Sequence, residues 1–104
     1  LFDGYVEVSY ERFRKKTSSV EEGFVTAVTG IPALFREVTE TVTPVEMGET
    51  IIVDTVIHLP VSYLDFEPNR RDRVTDGTRY WYVQMVKTQT LGTRYRLSCT
   101  QGLV

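Results

Sequence analysis

The stretch DRVTDGTRYWYVQMVKTQTLGTRYRLSCT, residues 72–100, decides the fold. It holds two apolar, aromatic-rich runs, 79–88 and 93–101, separated by a turn at Leu91–Gly92. Glycine supplies the positive φ that short hairpin loops need, so the pair reads as two antiparallel strands. In the first run alternation sets Trp81, Val83 and Met85 on one side and Tyr80, Tyr82 and Val86 on the other. Both sides are apolar or aromatic, as in a central strand covered on both faces. In the second, Cys99 alternates with Tyr95 and Leu97 on a core-facing side.

Upstream the same pattern recurs. Residues 49–59 form the strongest strand, with Ile51, Val53, Thr55, Ile57 and Leu59 on one face and Ile52, Asp54, Val56 and His58 on the other. A first strand is expected over 5–13. A second apolar run is expected to split at Gly30-Ile31-Pro32 into 24–29 and 33–38, with a bend or bulge between. Fifteen valines, fourteen threonines and six tyrosines favour a pleated surface, and no window carries a helical apolar stripe. The expected fold is all-β: a small β-barrel or sandwich of about six to seven mainly antiparallel strands with one long protruding loop.

At 104 residues the chain is expected to form one domain, 1–104, with room for a single core. A hydrophobic fraction of 41% and a charged fraction of 25% are those of a folded globular chain, which argues against disorder throughout. Net charge is −2, against general nucleic-acid binding, which draws its affinity from a basic excess. One cysteine excludes an intrachain disulfide and fits a reducing compartment. No run approaches the ~18 apolar residues of a membrane-spanning helix. The start, LFDGYVEVSY, lacks a signal-peptide pattern, and the absent initiator methionine suggests a trimmed or incomplete N-terminus.

Catalytic chemistry finds no foothold, and the chain is expected not to be an enzyme. His58 and Cys99 are the chain's histidine and cysteine, too few for a zinc site, so neither metal nor cofactor is expected. Asp54 and His58 share a strand face but stand roughly 13 Å apart along an extended chain, too far for a dyad. Cys99 has no second histidine to activate it and reads as a small core side chain. Gly77 and Gly92 stand singly before strands, as turn residues and not as a phosphate cradle.

Two features remain. The aromatic cluster Tyr80, Trp81 and Tyr82, joined by Tyr95, fits a central strand or, with one face, a contact with a neighbouring subunit. Charge also separates along the chain. Residues 37–50, EVTETVTPVEMGET, carry Glu37, Glu40, Glu46 and Glu49 with no basic residue, and Pro44 and Gly48 oppose a regular strand. This segment reads as an extended acidic loop or a protruding hairpin. The basic cluster PNRRDR follows, with Arg70, Arg71 and Arg73. In a ring of identical subunits, one copy's basic loop could meet its neighbour's acidic surface. Arg70, Arg71, Arg73, Tyr80 and Tyr82 are therefore the candidate interface residues.

The order of a charged loop, Asp-Arg-Val, a glycine turn, an aromatic strand, a short turn and a basic–apolar strand resembles the C-terminal half of tailed-phage head-closure proteins, also called stoppers or head–tail joining proteins. Here it is DRVTDGTRYWYVQMV followed by GTRYRLSCTQ. The earlier segments IPALFREV and ETIIVDTVIHLP fit the same layout, so the resemblance covers about residues 5–101. It implies a structural neck protein of the virion, made in the host cytoplasm, forming a ring of roughly six or twelve copies. Its implied partners are a portal or adaptor protein above, tail proteins below, and genomic DNA passing through the lumen without sequence-specific binding. The implied channel gate is the mobile loop, here Thr39, Glu40, Thr41, Val42, Thr43, Pro44, Val45, Glu46, Met47, Gly48, Glu49 and Thr50.

Two other readings stand beside it. A tail terminator, or another neck or tail ring protein, would share the β-rich oligomeric character. A small barrel binding single-stranded nucleic acid would stack bases on Tyr80–Tyr82 and Tyr95 beside Arg79, Arg94 and Arg96.

Overall fold

The structure, a computed structural model, describes residues 5–15, 23–42, 50–89 and 92–102. Strand β1 spans Tyr5–Arg14, β2 Gly23–Val42, β3 Ile51–Pro60, β4 Arg73–Thr75, β5 Tyr80–Gln89 and β6 Arg94–Gly102. A 3-10 turn, Val61–Tyr63, follows β3. The strands close into an antiparallel barrel in the order β1-β2-β3-β6-β5-β4, with β4 pairing back to β1. The all-β expectation holds. The architecture is a barrel, not a sandwich.

Closure depends on β4, which the sequence reading left inside a charged loop. Three residues are too short for a periodic signal, yet Ser9, Tyr10 and Glu11 pair with Thr75, Val74 and Arg73, which pair in turn with Tyr80, Trp81 and Tyr82. Val74 is fully buried. The turn from β4 to β5 is set by Asp76, whose carboxylate accepts the Thr78 and Arg79 N–H groups, and by Gly77 at φ 96°. Those hydrogen bonds hold the Asp76 carboxyl below its ordinary pKa, against the smaller opposing effect of burial.

The expected bulge is present at Gly30, but it does not split the second run, because β2 is one strand of 20 residues. The kink is absorbed inside it. Gly30 takes φ 69°, and the β1–β2 register shifts between Val8 and Tyr10 and again between Tyr10 and Glu11. Pro32 lies past the last rung of the β2–β3 ladder, Leu34 with His58, where the strand has one neighbour and a missing N–H is tolerated.

Alternation fills the interior much as expected. From β3, Val53, Thr55, Ile57 and Leu59 are buried; from β6, Tyr95, Leu97 and Cys99 join them. Each fully buried Ile or Leu contributes about 1.5–3 kcal/mol. Burial pushes the Cys99 thiol pKa well up, so it acts as an apolar core group. Two details depart from simple alternation. Val56, on the opposite face of β3, is also fully buried. In β5 the register shifts between Val83 and Met85, so Val86 pairs with Leu97 and packs on the core while Met85 pairs with Ser98. The expected grouping of Met85 with Trp81, and of Val86 with Tyr80, is reversed by that one-residue bulge.

The two barrel ends differ. The connection 61–72 closes the end at which β1, β3 and β5 finish. It is not simply polar: Leu64 is buried, Phe66 lies 5.3 Å from the Tyr10 ring, and the Val61 N–H donates to the Thr93 carbonyl at 3.0 Å. At the other, open end a cleft of about 280 Å³ lies over Trp81 and Phe35, rimmed by Arg36, Glu37, Asp76 and Arg79. Among the described residues no helix is long and apolar enough to cross a membrane.

Candidate functional site

The five interface candidates meet on one side of the barrel. The rung Glu11–Arg73–Tyr82 runs across β1, β4 and β5, so the three side chains share the outer face. Phe13 and Phe24, which pair across β1 and β2, extend it. The Arg73 guanidinium lies 4.0 Å from the Phe24 ring centre and 4.1 Å from that of Tyr80, and is ion-paired with Glu11. Burial opposes its charge, but the hydrogen bonds to Glu11 and Tyr82 outweigh that and raise its pKa. Arg71 stands 5.7 Å over the Phe13 ring, and Phe24 meets Tyr82 edge-on at 6.0 Å. Arg70, Arg71, Phe13, Phe24, Tyr82 and Gln84 line a shallow cleft of about 400 Å³. Each arginine–ring contact is worth roughly 0.5–2 kcal/mol. The patch is a rigid plate with its central cation already neutralised, suited to contact and not to proton transfer.

Its position is set by Asp72, the first residue of the Asp-Arg-Val motif that carries the resemblance. Asp72 is 3% exposed. Its carboxylate accepts the Tyr10 hydroxyl at 2.5 Å, the Phe13 N–H at 2.8 Å and the Asn69 N–H at 3.0 Å. The backbone adds three bonds: Arg71 N–H to the Val83 carbonyl, Val83 N–H to the Asp72 carbonyl, and Asp72 N–H to the Asn69 carbonyl. This locks the 69–72 turn onto β5 beside the bulge, with Arg71 at φ 83°, a conformation that costs a non-glycine residue about 1 kcal/mol. Burial, and then the bond to Asp72, drive the Tyr10 hydroxyl pKa far up, so it remains a donor. Its burial is not legible locally, because two of its three donors, the Tyr10 hydroxyl and the Phe13 N–H, are contributed by β1, about sixty residues upstream.

The acidic segment lies at the opposite end. Residues 37–42 belong to β2 and pair with β3, so the hairpin alternative holds for its stem. The β3–β6 ladder begins only at Thr55–Cys99, whereas the β2–β3 ladder continues to Val42–Ile51, so the hairpin runs past the β6 ladder, with the Thr100 hydroxyl still donating to the Ile52 carbonyl at 2.8 Å. Opposite Asp54 the stem is bulged, since Glu37 pairs with Thr55 but Glu40 with Val53. Thr39, Thr41 and Thr50 are exposed and Ile52 is 65% exposed. Glu40 is tied at 3.3 Å to Arg96 of β6. Of the gate candidates, Thr43, Pro44, Val45, Glu46, Met47, Gly48 and Glu49 lie outside the described residues.

The base-stacking platform considered from the sequence does not assemble as one surface. Trp81 and Tyr95 point into the core, leaving Tyr80 and Tyr82 outside and committed to Arg73. Among the described residues no three His, Cys, Asp or Glu side chains form a metal-holding group. No protein-family model and no curated protein sequence matches this chain.

Proposed function

We propose that this chain is a ring-forming structural component of a tailed-phage neck, of the stopper type, closing the DNA exit channel and giving the tail a docking surface. The observation that carries the reading is the β2–β3 hairpin, whose ladder runs past the end of the β3–β6 ladder at the open end and whose sequence is the acidic segment 37–50. Several copies of that hairpin pointing into one lumen would repel DNA phosphates and let the genome pass without adhesion. Its exposed strand edges could pair with neighbouring copies to shut the channel.

The motif behind the resemblance is made of fold-determining residues. Asp72 locks the loop, Val74 fills the core, Gly77 makes the turn, and Val83 and Val86 line the interior. In this reading the strands are a scaffold, and function would lie in ring geometry and in one hairpin.

The test is electron microscopy of particles made when the gene is disrupted in its phage. Tailless heads that packaged DNA and then lost it are expected. Full heads beside separate tails of abnormal length would assign the chain to a tail terminator instead, and normal infectious particles would remove it from the neck. Within the stopper reading, replacing Glu40, Glu46 and Glu49 together by Lys should slow DNA ejection. Unchanged ejection from normally assembled particles would take the hairpin out of the gate.

A further inference from the structure

Among the described residues Arg71 is the one non-glycine with a positive φ, 83°. Glycine would hold that turn without strain, and the Arg71 side chain is exposed, so neither the backbone nor the core explains an arginine there. Its guanidinium stands 5.7 Å from the Phe13 ring centre, on the lip of the cleft of about 400 Å³ lined by Phe13, Phe24, Tyr82 and Val83. No carboxylate among the described residues pairs with it. Glu11 is taken by Arg73, and the Asp72 carboxylate is turned inward onto Tyr10, Phe13 and Asn69. The cleft therefore joins an apolar floor to a cation that has no ion-pair partner among the described residues.

Its complement lies on another wall of the same chain. After the 3-10 turn Val61–Tyr63, Leu64 is extended at φ −116° and ψ 131°. Burial then alternates: Leu64 is buried and Phe66 packs on Tyr10, while Tyr63, Asp65 and Glu67 face solvent. Tyr63, 47% exposed, is the one aromatic among the large exposed hydrophobic side chains of the described residues. Neither Asp65 nor Glu67 enters an ion pair among those residues. None of the three lines the cleft. The ribbon they form leaves β3 and is tied to the Thr93 carbonyl ahead of β6, whereas the cleft is built on β1, β2, β5 and the turn at Arg71.

We propose that the cleft beside Arg71 receives the Tyr63–Asp65–Glu67 ribbon of a second copy of the chain, with the Tyr63 ring on the aromatic floor and Asp65 on the Arg71 guanidinium. The inference rests on the ring reading and names a contact through which the ring would form. Charge and shape select the occupant. An arginine at the edge of an apolar floor is matched by an aromatic side chain with a carboxylate two residues away, because the guanidinium holds a carboxylate by paired hydrogen bonds and the ring fills the hollow. A nucleic-acid base fits less well. The ring faces it would stack on are already covered, Phe24 and Tyr80 by Arg73 and Phe13 by Arg71. Cleft and ribbon are different surfaces, so the contact is head-to-tail, the kind that closes into a ring when the rotation permits. The strained turn then has a role: it displays a charge at a contact.

Arg71→Gly separates this role from a structural one. Glycine relieves the positive φ, so thermal stability should hold or rise, while self-association, followed by sedimentation up to millimolar protein, should weaken by about tenfold or more. Tyr63→Ala should weaken it to a similar extent and keep the fold by circular dichroism. The reversals R71E and D65R should each weaken association, and mixing the two chains should restore it. The intact ribbon of one then meets the intact cleft of the other, and the two reversed charges meet each other. Association that ignores Arg71→Gly and D65R overturns this contact while the ring reading stands. A chain that stays monomeric throughout also overturns the contact, and the particles from the disrupted gene then decide the ring reading separately. A short oligonucleotide that shifts the Phe13, Phe24 and Tyr82 ring signals by NMR, where raising the protein concentration does not, would make the cleft a nucleic-acid site and overturn the proposal.

Discussion

The closed end of the barrel and the hairpin at its open end are made from the same residue types and reach opposite outcomes. At the closed end one carboxylate, Asp72, is buried under three donors, and the surrounding arginines lie on Phe13, Phe24, Phe66 and Tyr80. At the open end Glu37 is exposed and Glu40 meets Arg96 at 3.3 Å, and the β2–β3 ladder runs past the β3–β6 ladder. Burial turns a charge into a lock because its hydrogen bonds lose their competition with water. Exposure leaves its hydrogen bonds in competition with water.

The sharpest way to break this contrast is Asp72→Ala. It removes the acceptor of the Tyr10 hydroxyl and of the Phe13 N–H at once and one of the two acceptors of the Asn69 N–H, and urea unfolding should show a loss of about 3–5 kcal/mol. A loss below about 1 kcal/mol would mean that Asp72 is not the lock. Tyr10→Phe removes one of the three donors and keeps the ring against Phe66, so about 1–2 kcal/mol is expected by the same measurement.

Gly102→Ala probes the patch from behind. A Cβ there meets the Tyr82 ring, with Cδ2 at 2.9 Å, and Tyr82 must move off Phe24. A cost of about 1–3 kcal/mol is expected, with altered Tyr82 ring shifts by NMR. Unperturbed Tyr82 resonances would contradict the packing described.

Smaller is the effect of pH through His58. Its folded pKa lies below the ordinary 6.5, so the unfolded chain binds the proton more readily. Its contribution to stability is complete above the unfolded value and falls as pH drops below 6.5 toward the folded value. Unfolding between pH 7.5 and 5.5 should show a slightly steeper acid loss for the native chain than for His58→Gln, and identical slopes would refute the depression. Least of all, Ile52→Ser on the exposed hairpin should change stability by no more than about 0.5 kcal/mol. A large loss there would show that the hairpin is part of the folding core.

Much of the barrel is legible along the chain. The alternation of residues 51–59 gives β3 and its buried face, and the two runs around Gly92 give β5 and β6 nearly to the residue. What misled was local punctuation. Gly30 and Pro32 read as a bend or bulge dividing two runs, and the bulge is there, but the β1 partner carries one strand through it with two register shifts. Gln84 looks unremarkable, yet the bulge beside it reverses which of Met85 and Val86 enters the core. The interface candidates were legible as residue types. Their assembly was not, because Arg73 meets Glu11 across 62 positions and Phe24 only through the closed ring of strands.

The sequence by itself determined the class of this protein. Dense β-branched residues, period-two burial and turn glycines are local properties that make strands and antiparallel turns wherever they occur. Only the tertiary structure decided that the sheet closes, that three residues at 73–75 close it, and that Asp72 is buried while Glu37 is not. It alone gathered Arg36, Lys87, Arg94 and Arg96 around His58. Those outcomes depend on cross-strand register, which sets the neighbours of each side chain through hydrogen bonds between segments far apart in the chain.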